Sequence, residues 1–91
     1  MPTPVRKPWF VYMLRCSNGS LYTGITTDVA KRLLVHNSGK GSAYVRAHRP
    51  AKVVAFTVTE NRSSASRLEH AVKSLTRKQK LTLAKRWKAD L

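Results

Sequence analysis

The chain has 91 residues, 42% of them hydrophobic, and its 18 Lys and Arg against 4 Asp and Glu give a formal net charge of +14. This length and hydrophobic share fit one modest core and exclude wholesale disorder, while the lone Cys16 excludes an internal disulfide. Such a basic chain attracts polyanions, so nucleic acid is the first class of partner to expect.

The first residues are predicted to form an extended tail, because residues 1–8 contain three prolines. A single domain is expected over residues 9–91. The basic N-terminus is not followed by an apolar signal core, and no stretch reaches the roughly 18 apolar residues of a membrane span. A cytoplasmic location without a membrane partner is therefore expected.

The next segment predicts a β-hairpin. WFVYMLRC at 9–16 is apolar at both alternating sets of positions, which indicates a central, well-covered strand. Asn18 and Gly19 follow, and Asn-Gly between strand-like runs is a strong hairpin signal. LYTGIT at 21–26 is the predicted antiparallel partner.

A helix is predicted after this hairpin. TTD at 26–28 supplies N-cap candidates, and VAKRLLVHNS leads to Gly39, a residue type common just past a helix end. The basic segment GKGSAYVRAHRP at 39–50 is expected to be a connection, with room for one helical turn.

The remaining chain predicts one strand and two helices. KVVAFTVTE at 52–60 is rich in Val, Thr and Phe, as strands are. A helix is expected from about residue 63 to 77, with an apolar stripe of Ala65, Leu68, Val72 and Leu75, and a basic helix within 78–90. The order β-β-α-β-α-α predicts an α/β (α+β) fold, a small and mainly antiparallel three-stranded sheet flanked by helices.

Several polar side chains on these elements have two explanations. Asp28, Arg32 and His36 are spaced at i, i+4 and i+8, so they lie along one helical face. A surface salt bridge between Asp28 and Arg32, with His36 idle beside it, is one explanation; phosphate binding by the planar Arg32 guanidinium is the other. Tyr12 and Tyr22, on the paired strands, are each compatible with an ordinary half-buried sheet tyrosine.

Glu69 also has a structural explanation, because it can pair with Lys73 at i+4 or complete a capping box with Ser66. A protein that cleaves phosphodiesters needs a carboxylate for a hard cation and a fixed positive group at the phosphate. It also needs a proton acceptor for water, for which a phenol or an imidazole is suited. The chain contains each of these groups.

FVY at 10–12, YTG at 22–24 and DVAKRL at 28–33 together resemble the paired motifs of the GIY-YIG endonuclease family. That family includes the N-terminal nuclease domain of the UvrC repair protein. The likeness runs from about residue 9 to 75 and extends to the segment 39–50, which is typical of small standalone bacterial members. The resemblance implies hydrolysis of DNA phosphodiester bonds by an activated water, with one divalent ion, Mg²⁺ or Mn²⁺.

The resemblance also implies roles for individual residues. Tyr12 and Tyr22 match the two motif tyrosines, either of which would be the general base. Arg32 would hold the scissile phosphate, and His36 would stand near the leaving or attacking oxygen. Glu69 would be the single metal-binding carboxylate.

Other positions bear on the motifs themselves. Gly24 would permit close backbone approach at the turn into the helix. Phe10 stands where the first motif has Gly, Ile25 stands where several active members carry Lys, and no Asn follows Glu69. Without that Lys, Arg32 and a bound cation would have to supply the roughly 4 kcal/mol needed to bring a phenol pKa from about 10 to 7.

Two functions follow from these observations. One is a metal-dependent DNA endonuclease of low sequence preference, in repair or recombination, whose substrates include branched or damaged DNA; RNA stays open as a partner. The other is a non-catalytic basic nucleic-acid-binding module with a degenerate site, held by backbone contacts. Candidate contacts in both cases are Lys40, Arg46, Arg49, Lys52 and the basic cluster at 77–88.

Overall fold

The predicted hairpin forms the centre of the sheet. In the computed structural model, which describes residues 7–90, β1 (Trp9–Arg15) pairs antiparallel with β2 (Leu21–Thr26) and with β3 (Lys52–Thr59). The strand order is β2-β1-β3, and residues 11–14 of β1 are all buried. Its central place agrees with the apolar pattern on both of its faces.

Most of the predicted N-terminal tail, residues 1–6, lies outside the described residues. Across the part that the structure does describe, no helix combines the length and the apolar content that crossing a membrane requires.

Helices cover both faces of the sheet. Within the described residues they are α1 (Val29–Asn37), α2 (Ala43–Ala47), α3 (Arg62–Lys73) and α4 (Arg77–Ala84). Side chains of α1 and α2 pack on the sheet face that carries the β1 tyrosine, whereas α3 and α4 pack on the opposite face. The predicted α+β fold and its element order are confirmed, with α2 supplying the helical turn expected in segment 39–50.

The helix that follows β2 is capped at both ends by residues the sequence indicates. Asp28 Oδ1 accepts a hydrogen bond from the Lys31 N–H at 3.0 Å, which satisfies one of the donors exposed at a helix start. Gly39 follows the helix with a φ of 88°, the left-handed conformation that ends many helices.

The predicted boundaries of the last two helices are wrong. The helix expected over about 63–77 ends at Lys73, and Thr76 begins the next helix through a capping box with Gln79. A capping box of Ser66 with Glu69 is not formed, because Asn61 is the N-cap and accepts from the Ser64 N–H at 2.9 Å.

The last helix was expected within 78–90 but ends at Ala84. Beyond it, Lys88 forms an antiparallel bridge with Phe56 of β3, with N···O distances of 2.8 and 3.0 Å. Trp87 packs beside this bridge into the core on the α3 and α4 face. The terminal segment therefore leaves the helix because it gains backbone pairing at an otherwise open strand edge.

Gly24 determines where the Tyr12 side chain goes. The two residues are directly opposite in the β1–β2 register, and a Cβ added at residue 24 would overlap the Tyr12 hydroxyl and ring. The Tyr12 ring therefore crosses over β2 at a position that has no side chain. Because β2 is an edge strand, the Tyr12 hydroxyl is carried from the central strand to the edge of the sheet.

Gly24→Ala should destabilise the fold by about 1–3 kcal/mol, the usual cost of forcing an extra methyl group into a packed site. Urea denaturation measures this cost. In a Tyr12→Leu background the same substitution should cost much less, because the overlapping hydroxyl and outer ring are gone. An equal cost in both backgrounds would contradict the crossing of Tyr12 over Gly24.

Candidate active site

Side chains from β1, β2 and α1 meet at the β2 edge of the sheet. Tyr12 is 2% exposed and His36 is fully buried, while Tyr22 is half-buried. The Tyr22 and His36 rings meet edge to face with centroids 5.4 Å apart, and the two tyrosine rings are 6.4 Å apart. Three of the predicted site residues are thus in one aromatic cluster.

The buried histidine is hydrogen-bonded through both ring nitrogens. Its Nε2 lies 2.9 Å from the Tyr12 hydroxyl oxygen, and its Nδ1 accepts the backbone N–H of Ser42 at 3.3 Å. The explanation in which His36 is idle on a helix surface is therefore wrong. The helical face that carries it is turned toward the sheet.

Burial keeps the central pair uncharged near neutral pH. Burial raises the pKa of Tyr12 to about 12; the nearby Arg32 guanidinium opposes this rise, while the charges of Tyr22 and Glu69 add to it. Burial also lowers the pKa of His36, and the positive charge of Arg32 lowers it further. The pair is thus a neutral phenol and a neutral imidazole.

Arg32 stands on the same helix, one turn before His36, and is half-buried. With Lys31 it lines a surface groove at the start of the helix, beside Thr26 and Asp28. The carboxylate of Asp28 caps the helix, and no ion pair between Asp28 and Arg32 forms, so that structural explanation is wrong. The Arg32 guanidinium lines the groove and acts to lower the pKa of Tyr12.

Glu69 stands on a helix that packs on the sheet face opposite Tyr12. Its helix, α3, packs against β1 and β2, and the Glu69 side chain is 22% exposed. Its carboxylate lies 3.5 Å from Lys73 Nζ, so the predicted i+4 ion pair is confirmed. After burial, the negative charge of Glu69 is one of the smaller causes that raise the pKa of Tyr12.

The donor set fits an ion that keeps most of its water. Within residues 7–90 no group of three or more His, Cys, Asp and Glu side chains gathers in one place. A cage made entirely of protein ligands is therefore absent from this part of the chain. Mg²⁺ is commonly held by one or two carboxylates together with waters and substrate phosphates, and the partly exposed Glu69 carboxylate fits that pattern.

The predicted nucleic-acid contacts Lys40, Arg46, Arg49 and Lys52 are all exposed. They lie between the end of α1 and the start of β3. Arg49 also holds this segment together, since its Nε donates to the Arg46 carbonyl at 3.0 Å and its Nη1 donates to the Asn37 carbonyl at 3.5 Å. Its guanidinium is therefore partly engaged within the protein.

Two neighbours of His36 are not distinguished by the sequence. Ser42 supplies a backbone N–H, which any residue except proline carries. Gly41 lies so close to His36 that an added Cβ would overlap its ring. In the sequence, the pair of glycines at 39 and 41 could have pointed to a close contact with His36, but such a pair is equally typical of an ordinary loop.

Acidification should destabilise the fold through His36. Because burial lowers its pKa in the folded state, the unfolded state, with a pKa of about 6.5, binds a proton first as the pH falls. The free energy of unfolding should therefore decrease from about pH 7 to pH 5, and His36→Gln should lack this part of the decrease. The charged and titratable groups facing His36 are Arg32, Tyr12 and Tyr22. Urea unfolding at several pH values tests this, and equal slopes in both proteins would contradict a buried neutral imidazole.

Comparison with known proteins identifies the family of the chain. A sequence model of the GIY-YIG catalytic domain matches residues 8–82. A UPF0213 protein of Desulfotalea psychrophila is 46% identical over 85 residues, covering 92% of this chain and 77% of that protein. A UPF0213 protein of Streptococcus agalactiae is 44% identical over 86 residues, covering 94% of this chain and 98% of that protein.

Solved structures show the same fold. The solution NMR structure of the UPF0213 protein BH0048 from Bacillus halodurans is 42% identical and superposes with a TM-score of 0.55, covering 86% of this chain and 83% of that one. The solution NMR structure of the protein EF2693 from E. faecalis is 41% identical with a TM-score of 0.62, covering 88% and 85%. The chain therefore belongs to the GIY-YIG family of nuclease domains, within its group of small UPF0213 proteins.

Proposed function

We propose that the chain is a divalent-metal-dependent endonuclease that hydrolyses DNA phosphodiester bonds at the β2 edge of its sheet. The observation that carries this proposal is the buried Tyr12–His36 pair with Tyr22 and Arg32 beside it. A phenol and an imidazole buried together beside a half-buried guanidinium have little structural reason to be there. In a GIY-YIG domain the same groups suit phosphodiester hydrolysis.

Arg32 is proposed to bind the scissile phosphate. A guanidinium offers two parallel donors to phosphate oxygens and remains charged at any working pH. Its place in the groove at the start of α1 makes it reachable by a phosphodiester. There it would also stabilise the negative charge that develops on the phosphate as water attacks.

The two tyrosines are proposed to have different roles. The Tyr12 hydroxyl is buried, bonded to His36 and has a pKa of about 12, so it is a poor acceptor for the proton of an attacking water. Tyr22 is half-buried and its hydroxyl has no such partner among the hydrogen bonds of the described residues. We therefore assign Tyr22 as the proton acceptor and Tyr12 as an orienting group, with His36 holding Tyr12.

Glu69 is proposed to hold one divalent ion, Mg²⁺ or Mn²⁺. When bound, such an ion would polarise the phosphate and stabilise charge on the leaving oxygen. The ion pair of Glu69 with Lys73 balances the carboxylate in its absence. Because a single protein ligand binds weakly, we expect activity to require a clear excess of free metal.

The substrate is proposed to be DNA bound largely through its backbone. The formal charge of +14 and the exposed basic residues of segment 39–52 favour phosphate contacts, which carry little sequence information. The proposal includes low sequence preference and action on branched or damaged DNA in repair or recombination. It also includes a single domain over residues 9–91 and a cytoplasmic location.

The test is cleavage of supercoiled plasmid, flapped duplex and four-way DNA with Mg²⁺ or Mn²⁺, against the same reactions in EDTA. Glu69→Gln, Arg32→Ala and Tyr22→Phe should each reduce the cleavage rate by about 10²–10³-fold, the cost of removing one group that stabilises or generates the transition state. Binding of the same DNA in EDTA, measured by mobility shift, should persist for Glu69→Gln.

Matched controls separate these effects from a change of overall charge. Glu60→Gln matches Glu69→Gln, because it removes one negative charge at an exposed position outside the site. Arg67→Ala matches Arg32→Ala, because it removes an exposed arginine from α3. Both should cleave like the wild type. Wild-type rates in Glu69→Gln and Arg32→Ala would reject the nuclease proposal.

A second candidate function is a binding module without catalysis. Ile25 replaces the lysine of several active members, and its side chain lies on the sheet face opposite Tyr12, since it pairs in register with Val11. The cluster therefore has no second cation from that position. DNA binding with a steep salt dependence but no metal-stimulated cleavage would favour this candidate.

A further inference from the structure

The loop that joins α1 to α2, residues 39–42, closes over the His36 ring. The Ser42 N–H donates to His36 Nδ1 at 3.3 Å. A Cβ at Gly41 would overlap the same nitrogen and would lie 2.9 Å from His36 Cα, closer than ordinary van der Waals contact. Since His36 is fully buried, this loop packs directly against an imidazole at the centre of the site.

The Ser42 contact determines which ring nitrogen carries the proton. A backbone N–H can only donate, so His36 Nδ1 must present its lone pair. Burial keeps the imidazole neutral, and a neutral imidazole has a single N–H. That proton is therefore on Nε2, which lies 2.9 Å from the Tyr12 oxygen, so His36 donates to Tyr12.

We propose that the 39–42 loop is a positioning element of the active site, in which the Ser42 N–H holds His36 in the tautomer protonated on Nε2. In this tautomer His36 has no lone pair facing Tyr12 and cannot accept its proton. The Tyr12 oxygen is oriented as an acceptor from His36, and its own O–H points elsewhere, available to donate to a group in the site. His36 thereby sets the direction of the Tyr12 hydroxyl.

The effect of the loop on cleavage rests on the proposed nuclease function, whereas the tautomer of His36 does not. If the loop only fills space beside His36, removing the Ser42 N–H would leave the tautomer unchanged. If the loop fixes the tautomer, the same change would release Nδ1 and let the proton occupy either nitrogen. The two cases differ in a spectroscopic property that does not depend on cleavage.

Ser42→Pro removes this N–H and puts the proline Cδ in its direction, so the His36 ring must also move away from the loop. The φ of Ser42 is −52°, within the range that proline adopts, and the preceding glycine has no Cβ to clash with the proline ring. Residue 42 keeps the carbonyl that accepts the Arg46 N–H at 2.9 Å. Ser42→Ala is the matched control, because the Ser42 side chain makes no capping hydrogen bond and alanine keeps the N–H.

The measurement is ¹⁵N NMR of the imidazole nitrogens in the wild type and both variants at neutral pH. We expect His36 of the wild type and of Ser42→Ala to be protonated on Nε2, and Ser42→Pro to populate the Nδ1–H tautomer. Cleavage by Ser42→Pro should fall roughly tenfold at unchanged KM, the scale of groups that orient an active-site histidine.

A wild-type His36 protonated on Nδ1 would overturn the proposal, whether or not the proline variant folds. A folded Ser42→Pro protein that keeps the wild-type tautomer would also overturn it. If the tautomers change as expected but the wild type cleaves no DNA, the nuclease proposal fails and the positioning role of the loop stands.

Discussion

The site depends on the buried hydrogen bond between Tyr12 and His36, 2.9 Å long. It joins the central strand to α1 across an edge strand, and it exists because Gly24 leaves room for the tyrosine ring to cross. Both partners are almost fully buried, so losing either would leave the other unsatisfied at a cost of about 1–3 kcal/mol. That cost favours the one geometry in which Tyr22, Arg32 and the pair lie together.

The same edge strand bears on the proposal that residues from opposite sides of the sheet share a site. Tyr12 leaves the core on the α1 face, whereas Glu69 belongs to a helix on the other face. A wide sheet would separate them, but only β2 stands between the central strand and the edge. In the proposed function, the cationic surface attracts phosphate and the partly exposed Glu69 carboxylate holds one hydrated cation.

Sequence reasoning is reliable here where a pattern is local. The run at 9–16 is apolar on both faces, which correctly indicates a central strand. Asp28 marks a helix start through its side-chain oxygen, and Gly39 marks a helix end through its backbone conformation. Only the resemblance of the paired motifs to a known family identifies the two tyrosines, Arg32 and Glu69 as candidate site residues.

Features that depend on tertiary pairing could not be predicted. Residues 85–90 continue a helical composition, yet they leave the helix because Lys88 pairs with Phe56, 32 residues earlier by number. The Tyr12–His36 bond spans 24 residues and requires the crossing over Gly24. Ser42 acts through a backbone N–H that its residue type does not reveal.

Broadening of NMR signals by Mn²⁺, which affects nuclei near the bound ion, tests most directly whether Glu69 and the hairpin residues converge on one site. We predict selective broadening around Glu69 together with Tyr22 and Arg32, abolished in Glu69→Gln; broadening confined to α3, with the hairpin unaffected, would contradict a shared site.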